Sequence, residues 1–434
     1  GDVYKRQTYI NEYGGKIPVG LARAVVPAAP DAWIKVLQRY GTMTFGEVAS
    51  HAMRYAREGF SIHPLLAENI DTHQDLLRGW PASAEVFLPN EQPLQTGELI
   101  IQRDLAKCIQ YMIDEETAAS GQGREAALEA ARSAFYKGDI AKTITSYHAQ
   151  NGGLLTMEDM AEYASAFEAP VKRSYKGFGD PIDVYTCGPW CQGPVLLEML
   201  SIIEGAELKE MGYNSGDYVH FLTEAMKLAF ADREAYIGDP RFNDVPIETM
   251  VSAEFGRMRS AEIDMAKAYP EMPAPGQIAG AGAGPAATSA AAAPSRMALD
   301  TSYTCAVDKD GNVFSATPSD GSYGMPMIPG TGMAPSSRGS QNWAVEGHPC
   351  SIAPGKRPRL TPSPALAMRE GKLSMPFGTP GGDVQAQAML QCFLNMEIWG
   401  MEAQDAIEAP RFATYSFPNS FEPHSYCLLY TSPS

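Results

Sequence analysis

Two stretches of the sequence carry residue types that could do chemistry. The first is Thr-Pro-Gly-Gly-Asp at 379–383, which follows an alternating run and opens an amphipathic one, with Ala386, Met389, Leu390 and Phe393 on one side. A strand, a glycine turn and a helix begun by Asp383 as N-cap form a geometry that binds anions and oxyanions, because the first helical N–H groups lack partners. The same residues also make a tight turn with no chemical role, and both readings stay open on this stretch alone. The second is the pair Cys187 and Cys191 in "TCGPWCQGP". Their spacing is not Cys-x-x-Cys, and the flanking Gly and Pro suit a turn, so a packing or loop role is favoured over a redox one. The other cysteines, at 108, 305, 350, 392 and 427, are too scattered for a disulfide framework. The seven histidines show neither His-Glu-x-x-His nor His-x-His spacing, so neither a metal nor another cofactor is expected.

The elements that must position these residues need a sizeable core. With 434 residues, 44% of them hydrophobic, the chain is long enough for two or three average domains or one large one. A net charge of −17 disfavours nucleic acid and anionic membranes as partners and implies a solvated acidic surface. The longest uncharged stretch, 272–295, is dominated by Ala, Gly and Pro, so no membrane span is expected.

From Asp31 to about Pro270 the pattern is mainly helical. Thr44 with Glu47 forms a capping box ahead of a helix that carries Val48, Met53, Tyr55 and Ala56 and ends at Gly59. Val219, Leu222, Met226, Ala229 and Phe230 fall at helical spacing on a second helix, stopped by Gly238 and Pro240. A strand in "DPIDVYTCGPW" precedes the helix "PVLLEMLSIIEG". Residues 271–295, of which 18 of 25 are Ala, Gly or Pro, read as a disordered tether, since such a composition buries too little to offset its ordering entropy. Alternation then sets in at once, with Tyr303, Cys305 and Val307 on one face, and "DKDGN" turns the chain into Val313–Thr317 as a hairpin. A second strand pair turns at Glu370-Gly371. Residues 1–7 and 427–434 have no patterning continuous with their neighbours and resemble translated adapter read-through, so they are expected to be foreign and the protein a fragment truncated at both ends. No signal peptide is visible.

The stretches "GTMTFGEV", "FYKGDIA", "NGGLLTMEDMAEY", "EAMKLAFADREAYIGDPRF", "TSYTCAVDKDGNVFSAT", "PGKRPRLTPSPAL", "FGTPGGDVQAQ" and "EAPRF", in this order, resemble the γ-glutamyltranspeptidase family of N-terminal nucleophile hydrolases. The resemblance runs from about Val25 to Tyr426. It implies an α/β (α+β) fold, a four-layer αββα sandwich shared by a large subunit, residues 8–300, and a small subunit, residues 301–426. The two would arise by self-cleavage between Asp300 and Thr301 and stay together as a heterodimer. Thr301 would then be the nucleophile, with its freed α-amino group, of unperturbed pKa roughly 7.7–8.0, as general base. By the same resemblance Gly381 and Gly382 form the oxyanion hole, and Ser319, eighteen positions after Thr301, supplies the hydroxyl that assists the nucleophile where the family usually has Thr.

The substrate side departs from the family pattern. Gly321 stands where transpeptidases have Asn. Arg338 and Gln341 stand where they have the Gln and Asp that hold the substrate ammonium, and Leu360 and Thr361 replace a Ser-Ser pair on the carboxylate. The implied activity is a threonine amidohydrolase or acyltransferase on a small-molecule amide, by default γ-glutamyl and glutathione-like. An Arg at 338 with no nearby Asp favours instead an acyl chain without an α-amino group, as in glutaryl or cephalosporin acylases, because a buried ammonium facing it would cost several kcal/mol. Arg338 could equally be a solvent-facing or structural salt-bridge residue. A non-catalytic member that binds a small acid is the reading from another class. The resemblance points to a periplasmic or extracellular location, with the cytoplasm also open.

Overall fold

The structure is a computed structural model that describes residues 9–176, 179–285, 301–320 and 324–426. The chain divides into two compact units. The first comprises Pro18–Phe167 with Gly321–Gly339, and the second Gly1–Ile17, Glu168–Asp320 and Ser340–Ser434.

The first unit is built mainly of helices: α1 (Ala29–Tyr40), α2 (Phe45–Glu58), α3 (Arg103–Ala119), α4 (Arg124–Tyr136) and α5 (Asp139–Gln150), beside a short ribbon of β1 (Phe60–Ser61) and β2 (Leu99–Ile100). Helix α2 begins on the expected capping box, with the Glu47 N–H donating to Thr44 Oγ1 at 3.1 Å and the Thr44 N–H to Glu47 Oε2 at 2.8 Å. It ends at Gly59, whose φ of +89° brings the backbone so close to Ile101 that a Cβ would lie 2.8 Å from its Cγ1. Its buried face is narrower than expected. Phe45 and Ala56 are inside, whereas Val48 and Tyr55 are exposed, because α3 covers only one stripe of the helix. Glu116 of α3 accepts the Phe45 and Gly46 N–H groups at 2.7 and 2.8 Å, an acid placed where the helix dipole favours it. The core of this unit gathers Ile34, Met112, Leu128, Phe135, Tyr136 and Ile144, with a buried Asp31–Arg132 ion pair beside it.

The second unit holds an antiparallel four-stranded sheet of order β3-β4-β7-β8, from β3 (Val171–Tyr175), β4 (Ile182–Thr186), β7 (Ala365–Arg369) and β8 (Lys372–Phe377). Tyr175, Ile182, Val184, Ala365 and Ala367 turn to one face and pack against α6 (Gly193–Ile203), α7 (Gly216–Tyr236) and α9 (Val384–Glu397). The β7–β8 turn is the expected one, with Glu370 and Gly371 both at positive φ, 48° and 75°. A separate ribbon, β5 (Thr304–Val307) with β6 (Val313–Ala316), is the predicted hairpin, although all four residues of β5 are exposed instead of alternating in burial, and Asp308 caps its turn by accepting the Asp310 and Asn312 N–H groups at 2.9 Å each.

Two expectations need correction. Helix α7 is not buried only along the apolar stripe Val219, Leu222, Met226, Ala229 and Phe230 that its spacing predicts. It is buried on nearly all sides, and its charged residues are satisfied internally, Lys227 by Glu224 at 2.7 Å and Asp232 by Arg259 of α8 (Ala253–Ser260) at 2.9 Å. Nor is the Ala/Gly/Pro stretch a disordered tether over its first part. Residues 271–285 lie along α7 and α8, where Tyr236 Oη donates to the Gly276 carbonyl at 2.7 Å, the Gly276 N–H reaches Asp232 at 2.5 Å and the Gly284 N–H the Ala235 carbonyl at 2.9 Å. Composition misleads here because glycine, having no side chain, lets the backbone itself lie against Phe255 and Arg259, where a Cβ on Gly276 would come within 2.6 Å of the Phe255 ring. The remainder of the stretch, 286–295, lies outside the described residues.

Candidate active site

The spacing of eighteen between Thr301 and Ser319 follows from the hairpin register. Thr304 pairs with Ala316, the Ser302 N–H donates to the Pro318 carbonyl at 2.9 Å, and one step further Thr301 and Ser319 stand opposite each other. Their hydroxyls meet, with Thr301 Oγ1 and Ser319 Oγ 2.5 Å apart. Both residues are half-buried. Asp300 and Gly321 lie outside the described residues.

Packing brings the glycine turn to this strand. Gly378 sits beneath the Tyr303 ring so closely that a Cβ there would be 2.4 Å from its Cδ2. Tyr303 Oη and Ser315 Oγ are 2.9 Å apart, and Ser315 Oγ is 3.1 Å from the Ala365 carbonyl oxygen it donates to, which ties the ribbon to β7. Burial pushes the Tyr303 phenol up to about 12, so it stays protonated at neutral pH. In the turn, Gly381 and Gly382 have φ of +125° and +57°, conformations that favour glycine. The Val384 N–H already bonds the Gly381 carbonyl at 3.0 Å.

Asp383 precedes α9 but does not cap it with its side chain. Its carboxylate accepts from Arg233 Nη1 at 2.5 Å and from the Ser420 N–H and Oγ at 2.7 and 2.6 Å, and this buried ion pair is what displaces it from the capping role. Arg233, fully buried in α7, also reaches the Pro418 carbonyl at 2.9 Å and pairs with Glu234 at 2.7 Å. Although burial raises the Glu234 carboxyl pKa, the guanidinium groups of Arg359 and Arg233 hold it well below the usual range. A buried amide completes the frame. Gln192 Nε2 donates to the Gly382 carbonyl at 2.7 Å and to the Thr361 carbonyl at 2.9 Å, while Arg233 Nη1 donates to its Oε1 at 3.2 Å.

Of the residues assigned to substrate binding, Gln341 and Thr361 meet in the second unit, with Gln341 Nε2 3.5 Å from Thr361 Oγ1 and both buried. Arg338 belongs to the first unit and is 4% exposed, which removes the solvent-facing reading. Cys187 and Cys191 are both free thiols. Cys191 Sγ donates to the Gly188 carbonyl at 3.4 Å and accepts the Gly193 N–H at 3.3 Å, contacts that shape the loop ahead of α6. Among the described residues no group of acidic, histidine and cysteine side chains is arranged to hold a metal ion, and no helix is long and apolar enough to cross a membrane.

Sequence reasoning passed over Gln192 and Arg233. For Arg233 a signal existed: it lies three, four and seven residues after Phe230, Ala229 and Met226, on the apolar side of its helix. For Gln192 there was none, because one uncharged residue in a turn says nothing about the carbonyls that it will meet.

The family profile described as Gamma-glutamyltranspeptidase matches residues 2–425. The chain is 33% identical over 402 residues to the Acylase ACY 1 proenzyme of a Pseudomonas species, covering 91% of this chain and 65% of that relative. It is 29% identical over 419 residues to the Glutathione hydrolase proenzyme of Escherichia coli, covering 91% of this chain and 66% of the relative, so it spans about two thirds of the length of these proteins. The crystal structure of cephalosporin acylase from Bacillus halodurans superposes with a TM-score of 0.78 at 27% identity, over 94% of this chain and 69% of that one. The α+β architecture is thus that of the N-terminal nucleophile hydrolases, and the chain belongs to the gamma-glutamyltranspeptidase family.

Proposed function

We propose that the chain is the precursor of a threonine amidohydrolase or acyltransferase that cuts itself between Asp300 and Thr301 and then turns over a small amide. The observation that carries this reading is the hydroxyl pair, Thr301 Oγ1 and Ser319 Oγ at 2.5 Å, on a strand packed against the Gly378–Gly382 turn. The bond-breaking step follows from these groups. Once freed, the α-amino group of Thr301 takes the proton of its own hydroxyl, and Oγ1 attacks the substrate carbonyl. N–H groups at Gly381 and Gly382 stabilise the tetrahedral oxyanion, each such donor being worth roughly 10² to 10³ in rate. The amine leaves with the proton, and water or a second amine takes the acyl group from the ester. The pKa of a free α-amino group, roughly 7.7–8.0, predicts that kcat/KM rises with pH through that range, as the ammonium form cannot accept the proton.

A denaturing gel of the purified protein tests the first half. Two bands in place of one at 46.9 kDa, returning to one in Thr301→Ala, are expected. A single band for the unaltered chain together with tight binding of a small acid would support the non-catalytic reading instead.

For the substrate, a γ-glutamyl amide of the glutathione type is the default. The buried Arg338, at the position where transpeptidases hold the ammonium with Gln, supports the acylase reading, a glutaryl or similar dicarboxylic acyl group, as does the likeness to proteins named acylases. Chromogenic γ-glutamyl and glutaryl anilides compared side by side decide between them; faster turnover of the glutaryl compound would end the γ-glutamyl reading. The two cleaved segments would remain together as a heterodimer.

A further inference from the structure

The carbonyl of Gly382 is not left to water. It is held by Gln192, at the N-terminal end of α6 and 190 residues away in sequence. The Gly382 oxygen belongs to the planar peptide that Gly382 shares with Asp383, so holding it anchors the chain on the C-terminal side of Gly382 and narrows the φ and ψ that set the direction of the Gly382 N–H. Glycine gives the turn its shape and also its looseness. Something other than a side chain of the turn must therefore choose one conformer, and the choice bears directly on where the donors for the oxyanion point.

Gln192 is suited to that task in three respects. Its side chain is 1% exposed, so water does not compete for its hydrogen bonds. Its amide cannot flip, because Arg233 Nη1 donates to Oε1 at 3.2 Å and obliges Nε2 to face the carbonyls. Its second bond, to the Thr361 carbonyl at 2.9 Å, is backed by main-chain pairing of the two loops, the Gln192 N–H to the Leu360 carbonyl at 2.9 Å and the Leu360 N–H to the Trp190 carbonyl at 3.0 Å. One rigid amide thus spans the turn that would bind the oxyanion and the loop that carries Thr361.

We infer that Gln192 is the positioning residue of the oxyanion turn: it anchors the peptide that follows Gly382 and so restrains the turn whose donors, at Gly381 and Gly382, must be aimed before substrate arrives. The inference rests on the amidohydrolase reading and deepens it. It acts on the transition state and leaves the ground-state complex nearly untouched, which separates it from a purely structural role.

The test uses Gln192→Glu, which presents two acceptor oxygens to two carbonyls, and Gln192→Met, which keeps the length and removes both donors. Each is expected to lower kcat on the better anilide by 10- to 100-fold with KM changed less than threefold. The inhibition constant of a boronic acid carrying the same acyl group, whose adduct is tetrahedral, should rise by the same factor as kcat falls. Should the Met variant not fold, the Glu variant decides by the same readouts. Activity within twofold of the unaltered enzyme in either folded variant, or equal losses in KM and boronate binding, would overturn the inference. Absence of self-cleavage and turnover in the unaltered protein is a separate result, which removes the amidohydrolase reading itself.

Discussion

The ribbon that carries Thr301 and the turn that carries Gly381 and Gly382 touch at Tyr303 and Gly378, yet they are held in opposite ways. Strand β5 is exposed along its length, and the residues just before it are tied by a main-chain bond at Ser302 and a hydroxyl pair at Thr301. The turn, though exposed at Pro380 and half-buried at Gly381, is buried at Gly382 and fastened there through Gln192, Arg233, Asp383 and Ser420, all 5% exposed or less. The difference fits the two tasks. A nucleophile that must first become a chain end needs slack around it, whereas groups that stabilise developing charge are useful only if they need no reorganisation when it appears.

Breaking the fastened side should give the largest effect. Arg233→Met leaves Asp383 buried without its cation and Glu234 with one fewer, and is expected to lower the unfolding free energy by about 3–5 kcal/mol in denaturant titration. Gly381→Ala comes next. At φ of +125° an alanine is strained, so the turn must move, and kcat should fall by roughly 10²-fold or more while Thr301-dependent cleavage products still appear on the gel. Gly378→Ala acts where the two regions meet; the new methyl displaces the Tyr303 ring and should cost about 1–3 kcal/mol in thermal or chemical unfolding.

The smallest effect concerns the interior of the second unit, at the buried Glu198 of α6, and depends on pH. Burial raises the Glu198 carboxyl well above its ordinary value, and the neighbouring Asp232 charge, paired with Arg259, adds to this. The folded state keeps that proton after the unfolded chain has lost it near pH 4.3, so its contribution to stability falls as pH rises above that point. Glu198→Gln, which never ionises, should therefore be more stable than the parent at pH 7 and equal to it below about pH 4, as read by melting curves at the two pH values.

Much of the fold was legible because its signals are local. The Thr44–Glu47 capping box, the Asp308–Asn312 and Glu370-Gly371 turns, and the α6 and α9 runs all declared themselves within a few residues. The register of the β5–β6 ribbon even accounts for the spacing of Thr301 and Ser319. What escaped was non-local. The ordering of residues 271–285 depends on glycine contacts with α7 and α8, the Asp383 carboxylate was claimed by an arginine 150 residues earlier, and Gln192 acquires its meaning only from carbonyls brought to it by folding. The narrowness of the buried face of α2 likewise depends on how much of it α3 reaches.

The sheet order β3-β4-β7-β8 sets strands from before position 301 beside strands from after it, with β4 and β7 as the seam. Gln192 and Arg233 precede the same position, and Thr361, Gly382, Asp383 and Ser420 follow it. Were the chain severed there, the halves would share one hydrophobic interior and a set of mutually neutralising ions, like two pieces of a broken casting that still fit. Pulling them apart would strand those ions in grease, so the severed molecule should travel as a single particle through any column run without denaturant.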